Sequence, residues 1–131
     1  MLSKAHTTTM LPAADVERAR QFYADKLGLH QRTTAMDGTP IFEAGNGDGI
    51  GLLQAEEGAQ SARTVLSFEV ADITAEIRDL EGRGVVFEDY DLPDLKTVNH
   101  IASMGNERAA WFRDTEGNIL CIHEVLPDAN S

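Results

Sequence analysis

Apolar residues in this chain recur at two spacings, and the order of those spacings repeats. In the first half Val16, Ala19, Phe22 or Tyr23, and Leu27 fall near the period of an α-helix. Ile73, Ile77 and Leu80 do the same in the second half. An aspartate precedes each helix, Asp15 in one and Asp72 in the other. That is the position where a carboxylate accepts bonds from the unpaired first-turn N–H groups. A glycine follows each, Gly28 or Gly84, suited to the left-handed residue that ends a helix.

Extended segments surround both helices. In the first half they are Leu29–Ala35, Thr39–Ala44 and Ile50–Gln54, parted by Asp37-Gly38 and by Gly45-Asn46-Gly47-Asp48-Gly49. In the second half they are Val85–Tyr90, a stretch within Val98–Arg113, and Asn118–Val125, the last entered through the turn Asp114-Thr115-Glu116-Gly117-Asn118. With the β-like run before each aspartate, each half reads β-α-β-β-β, and the halves meet at the polar stretch Glu56–Arg63. This predicts an α+β fold. One domain, residues 1–131, consists of module 1 at about 1–57 and module 2 at about 62–127. Neither half is large enough to be comfortable alone, so the two βαβββ modules are expected to share a core. Their curved mixed sheets enclose a common cavity, with the helices outside.

Strand alternation assigns faces. Thr64, Leu66, Phe68 and Val70 form one side of their strand, suited to packing on a helix; Val65, Ser67 and Glu69 form the cavity side. In the last strand Leu120 and Ile122 face the helix, leaving Ile119, Cys121 and His123 toward the cavity. His6, Thr8 and Met10 take the cavity side of the first strand. The expected wall is therefore polar at Thr8, Gln54, Ser67, Glu69, Cys121 and His123, and apolar at Met10, Leu52, Val65 and Ile119. Such a mixed concave surface suits a small molecule. The long Asp91–Asn106 stretch, carrying His100, is placed to cover the cavity mouth with Tyr90, Met104 and Trp111. Trp111 and Phe112 read equally well as core and edge residues of a strand.

Composition narrows the function classes. The formal net charge of −11 is scattered along the chain and leaves no basic stripe, so a nucleic-acid partner is not expected. The same field would attract a cationic ligand, and it also serves solubility alone. No apolar run has the length to cross a bilayer, and Met1–His6 has no apolar signal core behind it, so no membrane partner is expected. The single cysteine, Cys121, has no internal disulfide partner, which fits a cytoplasmic location.

Two segments carry a resemblance. Ala14-Asp15-Val16-Glu17-Arg18-Ala19-Arg20-Gln21-Phe22-Tyr23 with Leu27-Gly28-Leu29 resembles the first-helix signature of the glyoxalase/bleomycin-resistance/extradiol-dioxygenase (vicinal oxygen chelate) superfamily. Asp114-Thr115-Glu116-Gly117-Asn118 resembles its Asp-Pro-x-Gly-Asn turn, with Thr115 in place of proline. Gly84–Pro93 with Ala109-Ala110-Trp111-Phe112 looks like a branch of small single-domain members.

Enzymes of that superfamily hold a divalent metal through His, Glu or Gln on the first and last strands of each module. Carried over from the Asp and Gly anchors, those positions are Thr8, Leu52 (to within one residue), Val65 and Cys121. A lone thiol cannot build a stable site, so neither metal nor other cofactor is expected. A displaced set of His6, Glu69, Cys121 and His123 has suitable donors but is spread along strands at about 7 Å intervals. Without a metal, Cys121 is a nucleophile or a small buried apolar residue, and Glu69 a base or a solvated rim carboxylate.

The resemblance implies three functions. They are metal-free binding of a small molecule, aromatic or cationic, in the inter-module cavity; lyase, isomerase or dioxygenase chemistry from displaced or non-metal residues; and a structural or regulatory role without a pocket. It also implies a homodimer.

Overall fold

Both helix starts form as the aspartates predict. The Asp15 carboxylate accepts the Arg18 N–H at 3.0 Å and that of Asp72 accepts the Ala75 N–H at 3.1 Å. Helix α1, Val16–Gln21, runs into a π-helical turn, Phe22–Lys26, where the Leu27 N–H reaches back to the Phe22 carbonyl at 3.1 Å. The widened turn lets two consecutive aromatics, Phe22 and Tyr23, both face inward, edge to face at 5.6 Å. Gly28 follows at φ 71°, a backbone state that a side chain would oppose. Helix α2 spans Ile73–Gly82 and buries Ile73, Ile77 and Leu80.

The computed structural model describes residues 1–45 and 47–127, so Asn46 of the predicted glycine-rich turn lies outside the described residues. They fall into two units, one made of Met1–Ser61 with Asp114–Asn118, the other of Ala62–Arg113 with the chain from Ile119 onward. Among the described residues, no helix is long and apolar enough to cross a membrane.

The first unit holds β1 (Thr8–Ala13), β2 (His30–Thr34), β3 (Pro40–Ala44) and β4 (Asp48–Gln54), in the order β1-β4-β3-β2. Strands β1 and β4 are parallel, with Met10 beside Gly51 and Leu11 beside Leu52. Paired residues share a face, so Leu11, Ala13, Ile50 and Leu52 line the core with Phe42. This corrects the expected faces of β4. Leu52 and Gln54 are not on the side of Thr8 and Met10; Leu52 is fully buried in the core, and Gln54 donates to the Ala14 and Ala55 carbonyls. The glycines of Asp48-Gly49-Ile50-Gly51 hide the alternation, and a slip of one residue exchanges every face.

The second unit holds β5 (Thr64–Glu69), β6 (Asp91–Leu92), β7 (Leu95–Lys96), β8 (Ala102–Met104), β9 (Glu107–Arg113) and β10 (Ile119–Val125). Its main sheet has the order β5-β10-β9-β8, with β5 and β10 parallel, and β6-β7 forms a small separate ribbon. Val85–Tyr90, expected as a strand, makes only an isolated bridge, Phe87 with Phe112. The fourth strand is instead β8, from within the stretch expected to be a loop. Val85 and Phe87 are buried, so their apolar character serves packing rather than pairing.

Candidate functional site

One face of the second sheet gathers most of the chain's chemistry. In register, β10 sets Cys121 beside Ser67 and His123 beside Glu69, while β9 sets Trp111 beside Cys121. Leu66, Phe68, Phe112, Leu120 and Ile122 occupy the other face, as alternation requires. Val65 has no partner in the β5–β10 register, because a bulge shifts the pairing from Ile119–Thr64 to Leu120–Leu66.

The polar groups on this face are connected. The Ser67 hydroxyl lies 2.6 Å from His123 Nδ1, and His123 Nε2 lies 3.8 Å from a Glu69 carboxylate oxygen. The imidazole thus hydrogen-bonds the hydroxyl through one nitrogen and has a carboxylate within ion-pair distance of the other. Ser67 and Glu69 are exposed and His123 is half-buried. Beside them Trp111 and Tyr90 form an edge-to-face pair at 5.6 Å, both partly accessible. Burial pushes the Cys121 thiol up, outweighing the Ser67 and Ala110 hydrogen bonds that lower it. A buried, protonated thiol is not an activated nucleophile, and Cys121 behaves as a small wall residue.

In the first unit Thr8 and Met10 lie over two glycines. A Cβ at Gly49 would sit 2.8 Å from the Thr8 hydroxyl, and one at Gly51 would sit 2.7 Å from the Met10 sulfur. Those glycines let both side chains lie flat on β4. Leu53, exposed and in register with Pro12, takes the place expected for Leu52 on this face, and Arg32 reaches it from β2.

His100 is not beside Trp111. Its ring nitrogens reach Asp89 at 2.9 Å and Glu81 at 3.4 Å, and it lies against Phe87, whose bridge partner Phe112 faces the helix side. His100, carried by the Asp91–Asn106 stretch, thus lies on the helix side of the sheet rather than on the face of Trp111. The two carboxylates draw the ring toward α2.

The two segments that carry the resemblance are bonded to one another across about a hundred residues. Glu116 accepts the Asp15 N–H at 2.8 Å and both Arg18 Nε and Nη2, at 2.9 and 3.1 Å. The Tyr23 hydroxyl donates to Asp114 at 2.7 Å, and the Asn118 amide donates to the Pro12 carbonyl at 2.9 Å. Burial opposes ionisation of Glu116, yet the Arg18 guanidinium, the Asp15 N–H and the Thr115 hydroxyl outweigh it and hold the carboxyl at about 2. Burial, reinforced by the Asp114 charge, raises the Tyr23 hydroxyl far above its ordinary value.

The family model of the glyoxalase/bleomycin resistance protein/dioxygenase superfamily matches residues 5–122. The chain belongs to that superfamily. No curated protein sequence matches it. Among solved structures it resembles TnmS3, an antibiotic binding protein from Streptomyces sp. CB03234, at 19% identity and a TM-score of 0.71, covering 95% of this chain and 98% of that one. It also resembles a superfamily protein from Nocardioides, at 20% identity and a TM-score of 0.67, covering 95% and 85% of the two chains. A third likeness is to lactoylglutathione lyase from Agrobacterium tumefaciens, at 20% identity and a TM-score of 0.64, covering 92% and 93%. At these identities the likeness shows the fold alone.

The superfamily's metal positions can be tested against this chain's own donors. Leu52 is a fully buried hydrocarbon in the core, and Val65 is a hydrocarbon at the bulge. Neither they nor Leu53, which takes the place of Leu52 on that face, has a lone pair to offer, and the single thiol of Cys121 supplies too few donors for a stable site. The residues present do not fit a metal at those positions. Among the described residues, no three His, Cys, Asp or Glu side chains gather closely enough to hold an ion, and the displaced set contributes only the Glu69–His123 pair.

Proposed function

We propose that this superfamily member binds a small aromatic or cationic molecule against the second sheet, without a metal ion. The observation that carries the reading is the shared face of Trp111, Tyr90, Ser67, His123 and Glu69, where aromatic wall and hydrogen-bonding groups lie side by side. An exposed carboxylate and an indole on the same face of the sheet suit a cation, and the net charge of −11 favours its approach. The antibiotic-binding role of the Streptomyces neighbour is a precedent for this use of the fold.

Trp111 is the only tryptophan, so its fluorescence reports on this face directly. Titration with a panel of cationic aromatic antibiotics is expected to quench it saturably. Calorimetry should show affinity at least about fivefold weaker in Glu69→Gln and in Trp111→Ala, the size of a modest cation–π or charge contact. Absence of saturable quenching across the panel, or a stoichiometric divalent metal in protein purified without tags, would count against the reading. The homodimer belongs to the same reading and is tested by sedimentation equilibrium.

The Ser67–His123–Glu69 chain favours a second reading, proton transfer on the bound molecule. His123 would carry the proton and Glu69 balance the imidazolium. A bound compound recovered with altered stereochemistry, or carrying deuterium after incubation in heavy water, and unaltered after incubation with His123→Gln, would support it. Unchanged recovery from the unsubstituted protein leaves binding alone.

A further inference from the structure

A cleft of about 790 Å³ opens elsewhere in the second unit, between α2 and the short strands that follow it. Ile77, Arg78 and Glu81 of α2 form one wall; Ser103 of β8 and Arg108 of β9 belong to the other. Ser103 and Arg108 are paired in register, and Arg108 pairs in turn with Glu124, which accepts the Ile73 N–H that opens α2. The cleft therefore lies on the helix side of the sheet. Trp111, Cys121 and His123 have the opposite parity, so this is a different place from the site proposed above.

Its volume falls within the range of small-molecule sites. Its charge is the reverse of the protein's. Three cationic side chains, Arg78, Lys96 and Arg108, stand among the lining residues against one carboxylate, Glu81. That carboxylate is engaged by His100, which also bonds Asp89. The cations are less committed. Arg108 reaches Glu124 only at 3.7 Å, and Lys96 reaches the exposed Asp91 at 3.9 Å. Arg78 has no hydrogen-bond or ion-pair partner among the described residues.

The remaining wall is fixed and mixed. Val98 and Ile101 exchange backbone bonds at 2.9 and 3.0 Å, closing a tight turn with Asn99 and His100 at its centre. Both hold positive φ, 53° and 72°, a state that costs energy for residues with side chains. The turn sets Asn99 into the wall, while Ile77, Val98 and Ile101 supply an apolar lining.

We propose that this cleft is a second ligand site, for a small organic anion bearing one carboxylate or phosphate group on an apolar body. The anionic group meets Arg78, Arg108 and Lys96, and the apolar body lies on Ile77, Val98 and Ile101. Guanidinium groups suit both anions because their paired N–H donors match the spacing of the oxygens.

The test uses 2-naphthoate and phenyl phosphate as probes, with uncharged 2-naphthol and cationic 2-naphthylmethylamine as controls, in calorimetry on the full chain. Both anions are expected to bind at least about tenfold more tightly than either control, a ratio in keeping with one charge-assisted contact. Binding should weaken as salt is raised. Arg78→Gln, at an exposed helix position, should weaken the anions at least about fivefold with the circular dichroism unchanged. Arg108→Gln gives the same comparison at a residue that also supports Glu124. Glu69→Gln and Trp111→Ala should leave naphthoate affinity unchanged, which separates this site from the one above. Amide resonances of Val98–Ser103 should shift on binding. Equal affinity for naphthol, no effect of Arg78→Gln, or shifts confined to Ser67, Trp111 and His123 would each overturn the proposal.

Discussion

Replacing Glu116 by glutamine preserves the size of the side chain and removes the charge on which four hydrogen bonds converge. The donors are the Asp15 N–H, two nitrogens of Arg18 and the Thr115 hydroxyl. The Glu116 side chain is 1% exposed, whereas Arg18 is 53% exposed. The folded protein holds this carboxyl at about 2 against an ordinary value of 4.5. A depressed carboxyl stabilises the fold fully above its unfolded value, and that contribution is lost as pH falls from there through about 2. The gap caps the contribution at about 3.5 kcal/mol, at about 1.4 kcal/mol per tenfold. Solvent around Arg18 screens the pair, so about 1.5 kcal/mol is the expected share. Glutamine also turns an amide donor toward at least one existing donor, adding about 1 kcal/mol. Urea unfolding followed through Trp111 fluorescence should place Glu116→Gln about 2.5 kcal/mol below the unsubstituted protein at neutral pH. The difference should shrink to about 1 kcal/mol at the acid end of the transition. A difference that stays constant on acidification would refute the assignment of the stabilisation to the ionised carboxyl.

Three further outcomes are expected. Tyr23→Phe removes a buried donor to Asp114, which keeps its bond from Asn118, and should cost about 1 to 2 kcal/mol in urea unfolding. Leu52→Ala opens a hole in the first unit's core and should cost about 2 to 5 kcal/mol, read by the same assay, whereas a residue lining an open wall would cost far less. Cys121 should react slowly with Ellman's reagent in the folded protein at neutral pH, and at an ordinary rate after unfolding. Fast labelling of the folded chain would contradict a thiol that burial keeps protonated.

The repeat of caps and periods made the fold legible, because Asp15, Gly28, Asp72 and Gly84 mark backbone states that few other residues serve as well. Faces were legible wherever alternation was unbroken. Ser67, Glu69, Cys121 and His123 share one side because β5 and β10 alternate cleanly from Leu66 and Leu120 onward. Where glycine replaced a side chain the parity was lost, and Leu52 was expected on the wrong face. Val85–Tyr90 has the residues of a strand but spends them on burial, while β8 is too short to show a period. The clasp between Glu116 and the first helix leaves no periodic trace, since it depends on which turn meets which cap. His100 was out of reach for a similar reason: its partners, Glu81 and Asp89, are drawn together by chain geometry that no local pattern records.

The clasp bears on the order in which the chain acquires its structure during synthesis. Tyr23 has its hydroxyl acceptor in a segment made about ninety residues later. The Pro12 carbonyl and the opening N–H of the first helix wait for the same segment. A ribosome stalled between the two segments would carry a first sheet with those groups still turned to water, and a gene cut there would encode a fragment in the same condition. Maturation of the first sheet is governed by a turn that the ribosome makes only after most of the second sheet.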